Sequence, residues 1–232
     1  MSSLTGKIVI VTGAKGGLGS SVTLAFLAAG ARVIGVSRSI AQADFAHPEF
    51  TAMPAELTGF EAARKVAADV VARFGRIDAL VHLMGGFTGG KSVADTGDAD
   101  FEQMFALNFH GALHMARAVI PRMREQGDGR ILVVASRQGV EPAPLVGAYS
   151  ASKAAVVSLV RTIALENKDR GISANTVLPA TMDTPGNRAW GSAADIAQWV
   201  KPGQVAALLV YLASPEGAQV TGAAIPVYGA QV

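Results

Sequence analysis

The chain has 232 residues and a net charge of +2; half of the residues are hydrophobic and 16% are charged. This composition excludes a disordered chain and fits a compact globular protein with a large core. The chain has no cysteine, which rules out disulfides and thiolate metal sites, and we predict no metal site. Because the basic residues are dispersed and the apolar runs are short, we expect no nucleic-acid or membrane partner. The absence of cysteine favours an intracellular protein, and we expect a cytoplasmic location.

Predicted strands and helices alternate along the chain. The strands are expected at 7–13, 31–37, 50–57, 77–86, 130–136, 172–179 and 223–229. The helices are expected at 17–30, 58–75, 98–123, 148–167 and 202–212. This alternation, with strands that are apolar almost throughout, predicts an α/β Rossmann fold, in which helices cover both faces of a doubly wound parallel sheet. We expect one domain over residues 1–232, with a substrate lid around 180–200.

A glycine-rich turn follows the first strand and opens the first helix, with the sequence VTGAKGGLG at 11–19. Gly13, Gly17 and Gly19 would let the backbone approach a ligand closely, and a helix N-terminus favours an anion. A tight strand-to-helix turn without a ligand could use the same glycines. The position directly after the first strand favours a dinucleotide pyrophosphate, and Leu18 is assigned to the same site.

The second strand ends in Ser37 and Arg38, where dinucleotide-binding folds often carry an acidic residue that holds the ribose hydroxyls. A carboxylate would repel a 2′-phosphate, whereas a hydroxyl and a guanidinium would bind it. The sequence therefore favours NADP(H) over NAD(H), and Lys15 in the glycine turn is expected to reinforce this preference. The alternative is that Arg38 is an ordinary solvated loop residue.

Tyr149 and Lys153 are four residues apart in a predicted helix and so share one helix face. A nearby ammonium is expected to lower the pKa of a phenol from its ordinary value of about 10. Tyr149 could then give a proton to a carbonyl oxygen while hydride reaches the carbon, or take one from an alcohol. Ser136 could donate a second hydrogen bond to that oxygen, and Asn108 could hold a water that links Lys153 to solvent.

Together with the glycine turn, this set of residues resembles the short-chain dehydrogenase/reductase family. The residues that carry the resemblance are Thr12, Gly13, Gly17, Gly19, Asp78, Asn108, Ser136, Tyr149, Lys153, Pro179 and Thr184. The resemblance implies that Tyr149 is the acid/base and that Lys153 also binds the nicotinamide ribose. It further implies that Ser136 orients the substrate and that Asn108 completes a proton relay.

The same resemblance implies further contacts with cofactor and substrate. Glu56 and Leu57 would flank the adenine, and Thr184 and the backbone of Met182 would meet the carboxamide. The remaining cofactor assignments are Gly85, Gly86 and Pro179. The candidate substrate contacts are Ser136, Gln138, Tyr149, Phe87 and Trp190. Related enzymes form dimers or tetramers, so a homo-oligomer is expected.

Two positions depart from the family pattern. The residues 82–85 read His-Leu-Met-Gly where the family has Asn-Asn-Ala-Gly, and Pro179 is followed by Ala180 instead of glycine. We expect His82 to be a hydrogen-bonded core histidine. The stretches 85–90 and 177–190 are similar to dihydropteridine reductases, a divergent branch of the family.

The sequence thus predicts an NADP(H)-dependent oxidoreductase that interconverts a carbonyl and an alcohol on a small molecule. Two alternatives stay open. Reduction of a quinonoid pterin-like ring would not need Ser136. A non-catalytic protein that senses the redox state of a dinucleotide would not need an acid/base.

Overall fold

Seven parallel strands form one sheet in the computed structural model, which describes residues 3–57 and 59–231. The strands are β1 (Ile8–Thr12), β2 (Arg32–Ser37), β3 (Phe50–Pro54), β4 (Ala79–His82), β5 (Gly129–Val134), β6 (Ile172–Pro179) and β7 (Ala224–Val227). Their spatial order is β3-β2-β1-β4-β5-β6-β7. The chain changes direction across the sheet between β1 and β4, and ligands of doubly wound sheets bind at the carboxyl ends of such a strand pair. The predicted fold class is confirmed.

Helices cover both faces of the sheet. They are α1 (Gly19–Ala28), α2 (Phe60–Phe74), α3 (Asp98–Met104), α4 (Gly111–Gln126), α5 (Gly147–Asn167), α6 (Pro185–Arg188), α7 (Ala193–Gln198) and α8 (Pro202–Ala213). Alternate strand residues enter two separate cores: Ile10 and Leu80 pack with α2, α4 and α5, whereas Val9 and Val81 pack with α1 and α8. Within the described ranges, no helix combines the length and the apolar character needed to cross a bilayer.

The helix predicted over 98–123 is interrupted. After α3 the chain forms a π-helical segment, Phe105–His110, and then α4, which continues past Pro121 to Gln126. A π-helical turn contains an extra residue and frequently occurs at functional sites. Here it contains Asn108, and apolar side chains continue through it, so the sequence pattern does not reveal the interruption.

Several predicted strands and helices are shorter in the structure. The strand predicted over 77–86 spans Ala79–His82, and its pairing with both β1 and β5 ends at His82. The glycines that follow therefore lie in a loop at the carboxyl edge of the sheet. The third strand ends at Pro54, and the first helix begins at Gly19. Residue 58, the predicted start of the second helix, lies outside the described residues, and α2 begins at Phe60.

Candidate active site

The glycine turn after β1 has the shape that the sequence predicts. Gly13 has a φ of +69°, and a Cβ on Gly19 would lie 2.0 Å from the carbonyl oxygen of Gly13. A Cβ on Gly17 would lie 2.9 Å from Cβ of Thr184, so the turn and the loop after β6 are in close contact. No side chain caps the N-terminus of α1 at Leu18. Uncapped helix N–H groups beside a bare glycine backbone fit an anionic diphosphate.

A cleft of about 520 Å³ opens beside this turn, at the carboxyl ends of β1 to β4. Six of the predicted cofactor residues line it: Gly13, Ser37, Arg38, Glu56, Leu57 and Gly85. Its volume lies within the range of small-molecule sites. The cleft therefore has the size and the residues expected for the adenosine half of a dinucleotide.

The two cations predicted to select a 2′-phosphate differ in their surroundings. Nζ of Lys15 lies 2.9 Å from Oδ1 of Asp44 and 3.2 Å from the carbonyl oxygen of Ser39. A hydrogen bond from the backbone of Ala41 and the contact with Lys15 lower the pKa of Asp44. Arg38 has no hydrogen bond or ion pair with the described part of the chain and lines the cleft. Arg38 is thus the better placed of the two cations for a phosphate.

Helix α5 carries Tyr149 and Lys153 at the carboxyl end of β5. Lys153 is 6% exposed, and its Nζ donates to the carbonyl oxygen of Val134 at 3.4 Å. Burial lowers the pKa of Lys153 to about 8. Its Nζ lies 5.8 Å from the ring centroid of Tyr149, so the two predicted residues do meet on one helix face.

The expected acidification of Tyr149 by Lys153 is wrong for this structure. Burial raises the pKa of Tyr149, and a hydrogen bond with Ser136 opposes that rise only in part. The phenol is partly buried, which disfavours its charged form. Tyr149 is therefore held as a neutral phenol.

Asn108 connects three parts of the site. Its Oδ1 accepts from the backbone N–H of Gly86 at 2.9 Å, and its Nδ2 donates to the carbonyl oxygen of Gly86 at 3.2 Å and to Oγ of Ser152 at 3.0 Å. A Cβ on Gly85 would lie 2.6 Å from Oδ1 of Asn108 and 3.2 Å from Nζ of Lys153. Gly85 and Gly86 therefore let the loop after β4 fit between the π-helical segment and α5.

Ser136 is buried at the end of β5 and caps a short turn, Arg137–Gly139. Its Oγ donates to Oε1 of Gln138 at 2.5 Å and accepts from the backbone N–H of Gln138 at 3.3 Å. A Cβ on Gly139 would lie 3.0 Å from the backbone carbon of Lys153, so this turn packs directly on α5. The structure thus places Ser136, Gln138, Tyr149 and Lys153 together.

The two aromatic residues predicted to contact the substrate, Phe87 and Trp190, lie in different surroundings. Phe87 contacts Tyr149 edge-on, with ring centroids 5.0 Å apart. Trp190 is 67% exposed and packs against Trp199 at 5.0 Å, on the loop between α6 and α7. Met182 lies between β6 and α6, where its carbonyl oxygen accepts from the side chain of Asn187 at 2.8 Å.

His82 is a hydrogen-bonded core histidine, as the sequence predicts. Its Nδ1 lies 2.9 Å from Oγ1 of Thr12, which also accepts from the backbone N–H of Leu83 at 3.2 Å. Burial, together with the charge of Lys153, lowers the pKa of His82 to about 3. The imidazole is neutral at pH 7 and joins β1 to β4 at the position where the related family has asparagine.

Sequence reasoning missed two supporting residues. Ser152 is fully buried; its Oγ donates to the carbonyl oxygen of Tyr149 at 2.7 Å and accepts from Asn108. Gly139 allows the Ser136 turn to touch α5. The sequence shows Ser152 only as one of several small residues near Tyr149, and its partner is 44 residues away.

Replacing Lys153 by methionine is expected to stabilise the folded chain at pH 7. The pKa of Lys153 is about 8 in the folded chain and about 10.4 in the unfolded chain. This difference corresponds to a loss of about 3 kcal/mol in the free energy of unfolding when the lysine is protonated. Between these two pKa values the unfolded chain binds the proton more tightly, so the stability of the wild type rises with pH. The advantage of Lys153→Met should shrink from pH 7 to pH 10 in denaturant titrations.

The matched control is Lys65→Met, which removes an exposed lysine from α2. Its effect on stability should be small and nearly independent of pH. A pH-independent difference between wild type and Lys153→Met would contradict the burial cost assigned to Lys153.

Comparisons with known proteins find similar sequences and a similar fold. Residues 7–195 match the family model of the short chain dehydrogenases. The 3-oxoacyl-(acyl-carrier-protein) reductase FabG of Thermotoga maritima is 31% identical over 99% of both chains. The 7alpha-hydroxysteroid dehydrogenase of Bacteroides fragilis is 30% identical over 99% of this chain and 95% of its own. A crystal structure of a putative short-chain dehydrogenase/reductase from Burkholderia xenovorans superposes with a TM-score of 0.91 at 28% identity, covering 100% and 98% of the two chains.

Proposed function

This chain belongs to the short chain dehydrogenase family, whose members are oxidoreductases that bind a nicotinamide dinucleotide, and we propose that it interconverts a carbonyl and an alcohol. The observation that carries the proposal is the meeting of Ser136, Tyr149 and Lys153 at the carboxyl end of β5. The glycine turn and its cleft lie at the same edge of the sheet. This pairing of an acid/base with an anion-binding turn is what a hydride transfer needs.

The described residues fit the dinucleotide. Gly13, Gly17 and Gly19 would hold the diphosphate, and Glu56 with Leu57 would flank the adenine. Lys153 would donate to the ribose hydroxyls. When bound, the reduced nicotinamide supplies two electrons as a hydride.

Tyr149 handles the proton in this proposal. Because burial raises its pKa, the phenol stays protonated at neutral pH and can donate its proton to a carbonyl oxygen. Ser136 donates a second hydrogen bond to the same oxygen, which stabilises its developing negative charge. In the reverse direction the phenol must first lose its proton, so alcohol oxidation should accelerate as pH rises.

We further propose that NADP(H) is preferred, because Arg38 lines the cleft without a carboxylate partner. Arg38→Ala is expected to raise the Kd for NADPH about 10- to 100-fold, the value of one or two charge-assisted hydrogen bonds. The Kd for NADH should change by less than about threefold, since NADH lacks the 2′-phosphate. Nucleotide fluorescence titrations measure both constants.

The matched control is Lys15→Ala. Lys15 is already paired with Asp44, so its removal should weaken NADPH binding less than Arg38→Ala does. Tighter binding of NADH than of NADPH by the wild type would contradict the proposed preference.

Other features of the proposal concern the whole protein. We propose that residues 180–200, which contain α6 and α7, form a lid over the substrate. A homo-oligomer, dimer or tetramer, and a cytoplasmic location stay predictions of the sequence.

The proposed function is tested by a screen of ketones, aldehydes and alcohols with NADPH and NADH, followed by the absorbance of the reduced nicotinamide. We expect turnover of at least one carbonyl substrate that depends on Tyr149. If only quinonoid pterins are reduced, and Ser136→Ala leaves their reduction intact, the pterin alternative holds. Dinucleotide binding without any turnover favours the sensor.

A further inference from the structure

Ser136 and Gln138 form a directed hydrogen bond close to Tyr149. A serine hydroxyl has one proton to donate and two lone pairs that accept. The Ser136 proton is directed at Oε1 of Gln138, 2.5 Å away. A hydroxyl proton rotates about the Cβ–Oγ bond, so a bound carbonyl oxygen can take over this proton from Gln138.

The amide nitrogen of Gln138, in contrast to its oxygen, has no hydrogen-bond partner among the described residues. This nitrogen, Nε2, carries two N–H donors. Gln138 is partly exposed and lines a cleft of about 350 Å³ that begins at the Ser136 turn. The fixed turn thus presents an unused donor next to the hydroxyl that would bind the reacting oxygen.

The rest of this cleft combines apolar residues (Pro142, Ala143 and Ala180) with polar ones, and its charged side chains, Arg137 and Glu141, are paired. Nε of Arg137 donates to Oε2 of Glu141 at 2.7 Å, and Arg137 also donates to the backbone carbonyl oxygen of Gln231. The Gln231 side chain forms two hydrogen bonds with the backbone of Thr181. Its Oε1 accepts from the Thr181 N–H at 3.2 Å, and its Nε2 donates to the Thr181 carbonyl oxygen at 2.9 Å. A neutral polar substrate fits these walls better than an acidic one.

We infer that Gln138 recognises an oxygen on the carbon next to the reacting carbonyl, so that the preferred substrates are neutral α-oxygenated ketones, or the corresponding vicinal oxygenated alcohols in reverse. A carbonyl oxygen held by Ser136 and Tyr149 places its neighbouring carbon beside Gln138 Nε2. An oxygen there accepts the unused hydrogen bond, whereas a methylene leaves that donor buried and unpaired. This inference rests on the proposed function and names the substrate class of its site.

The reaction balances with reduced nicotinamide as the only co-reactant. Hydride forms the new C–H bond, the carbonyl π pair moves to oxygen, and the Tyr149 proton completes the O–H bond. The ketone is reduced and the dinucleotide is oxidised. The neighbouring oxygen keeps all its bonds and serves only as a hydrogen-bond acceptor.

The test compares two ketones of nearly equal shape, methoxyacetone and 2-pentanone, which differ by an ether oxygen in place of a methylene. The readout is the ratio of their kcat/KM values, measured for wild type, Gln138→Met and Gln138→Glu. The ratio of each variant is compared with that of the wild type, so the difference in intrinsic reactivity between the two ketones cancels. Gln103→Met, on the exposed face of α3, is the matched control.

Both Gln138 variants should lower the methoxyacetone to 2-pentanone ratio about tenfold or more, which corresponds to about 1.4 kcal/mol. Gln138→Glu keeps an acceptor for Ser136 and loses only the N–H donors, so its ratio must fall as well. Gln103→Met should leave the ratio unchanged.

An unchanged ratio in the Gln138 variants would overturn the inference, and so would Tyr149-dependent reduction of other carbonyls with neither test ketone reduced. The absence of Tyr149-dependent reduction of any carbonyl would contradict the proposed function instead.

Discussion

Tyr149→Phe is expected to lower kcat for carbonyl reduction by about 10²- to 10⁴-fold, the usual contribution of a positioned proton donor. Phenylalanine keeps the aromatic ring, so the edge-on contact with Phe87 at 5.0 Å should survive. Lys153 and the glycine turn are untouched. The Kd for the dinucleotide should therefore change by less than about threefold, which separates loss of proton transfer from loss of binding.

The measurement combines steady-state kinetics on a substrate found by the carbonyl screen with fluorescence titration of the dinucleotide. Tyr211→Phe is the control, because Tyr211 is exposed on α8, where its hydroxyl donates to the backbone carbonyl oxygen of Glu216 at 3.4 Å. That variant should keep wild-type kcat. Wild-type turnover in Tyr149→Phe would show that another group carries the proton.

Gly19→Ala is expected to abolish dinucleotide binding, with a Kd raised at least about 100-fold. The new Cβ would lie 2.0 Å from the Gly13 carbonyl oxygen and 2.8 Å from the backbone of Ala14. Both contacts are with backbone, so the turn itself must move, and the N-terminus of α1 moves with it. Overpacking of this kind costs about 1–3 kcal/mol or more, so Tm should fall by about 5–10 °C.

Gly203→Ala is the matched control. Gly203 lies in the first turn of α8, and a Cβ there would meet nothing within 4 Å. Alanine favours a helix over glycine by up to about 1 kcal/mol, so Tm should stay level or rise, with unchanged binding. If Gly19→Ala bound the dinucleotide normally, the glycine turn would not be the diphosphate site.

The alternation of apolar strands with amphipathic helices was enough to predict the parallel sheet, because burial on both faces leaves a continuous apolar signature in each strand. The sequence also predicted that Tyr149 and Lys153 share a helix face, since that follows from helical periodicity alone. The sequence also predicted the tight glycine turn, because Gly13 and Gly19 are identified directly by residue type. These features are local, so local pattern determines them.

Only the tertiary structure decided how the predicted residues are tuned. The expected effect of Lys153 on Tyr149 was wrong, because burial depends on segments distant in sequence that cover the phenol, and it raises the pKa. The pairing of Lys15 with Asp44 likewise depends on the path of the chain after β2. Neither effect has a signature at the residues themselves.

The sequence by itself determined the fold, the family resemblance and the identity of the candidate acid/base, because period, spacing and residue type carry that information. The tertiary structure decided which side chains complete the site. Asn108 reaches Ser152 across 44 residues, and Gln138 presents its unused Nε2 donor from a turn that packs on α5. Hydrogen bonds and burial depend on distances in space, and no pattern along the chain encodes those distances directly.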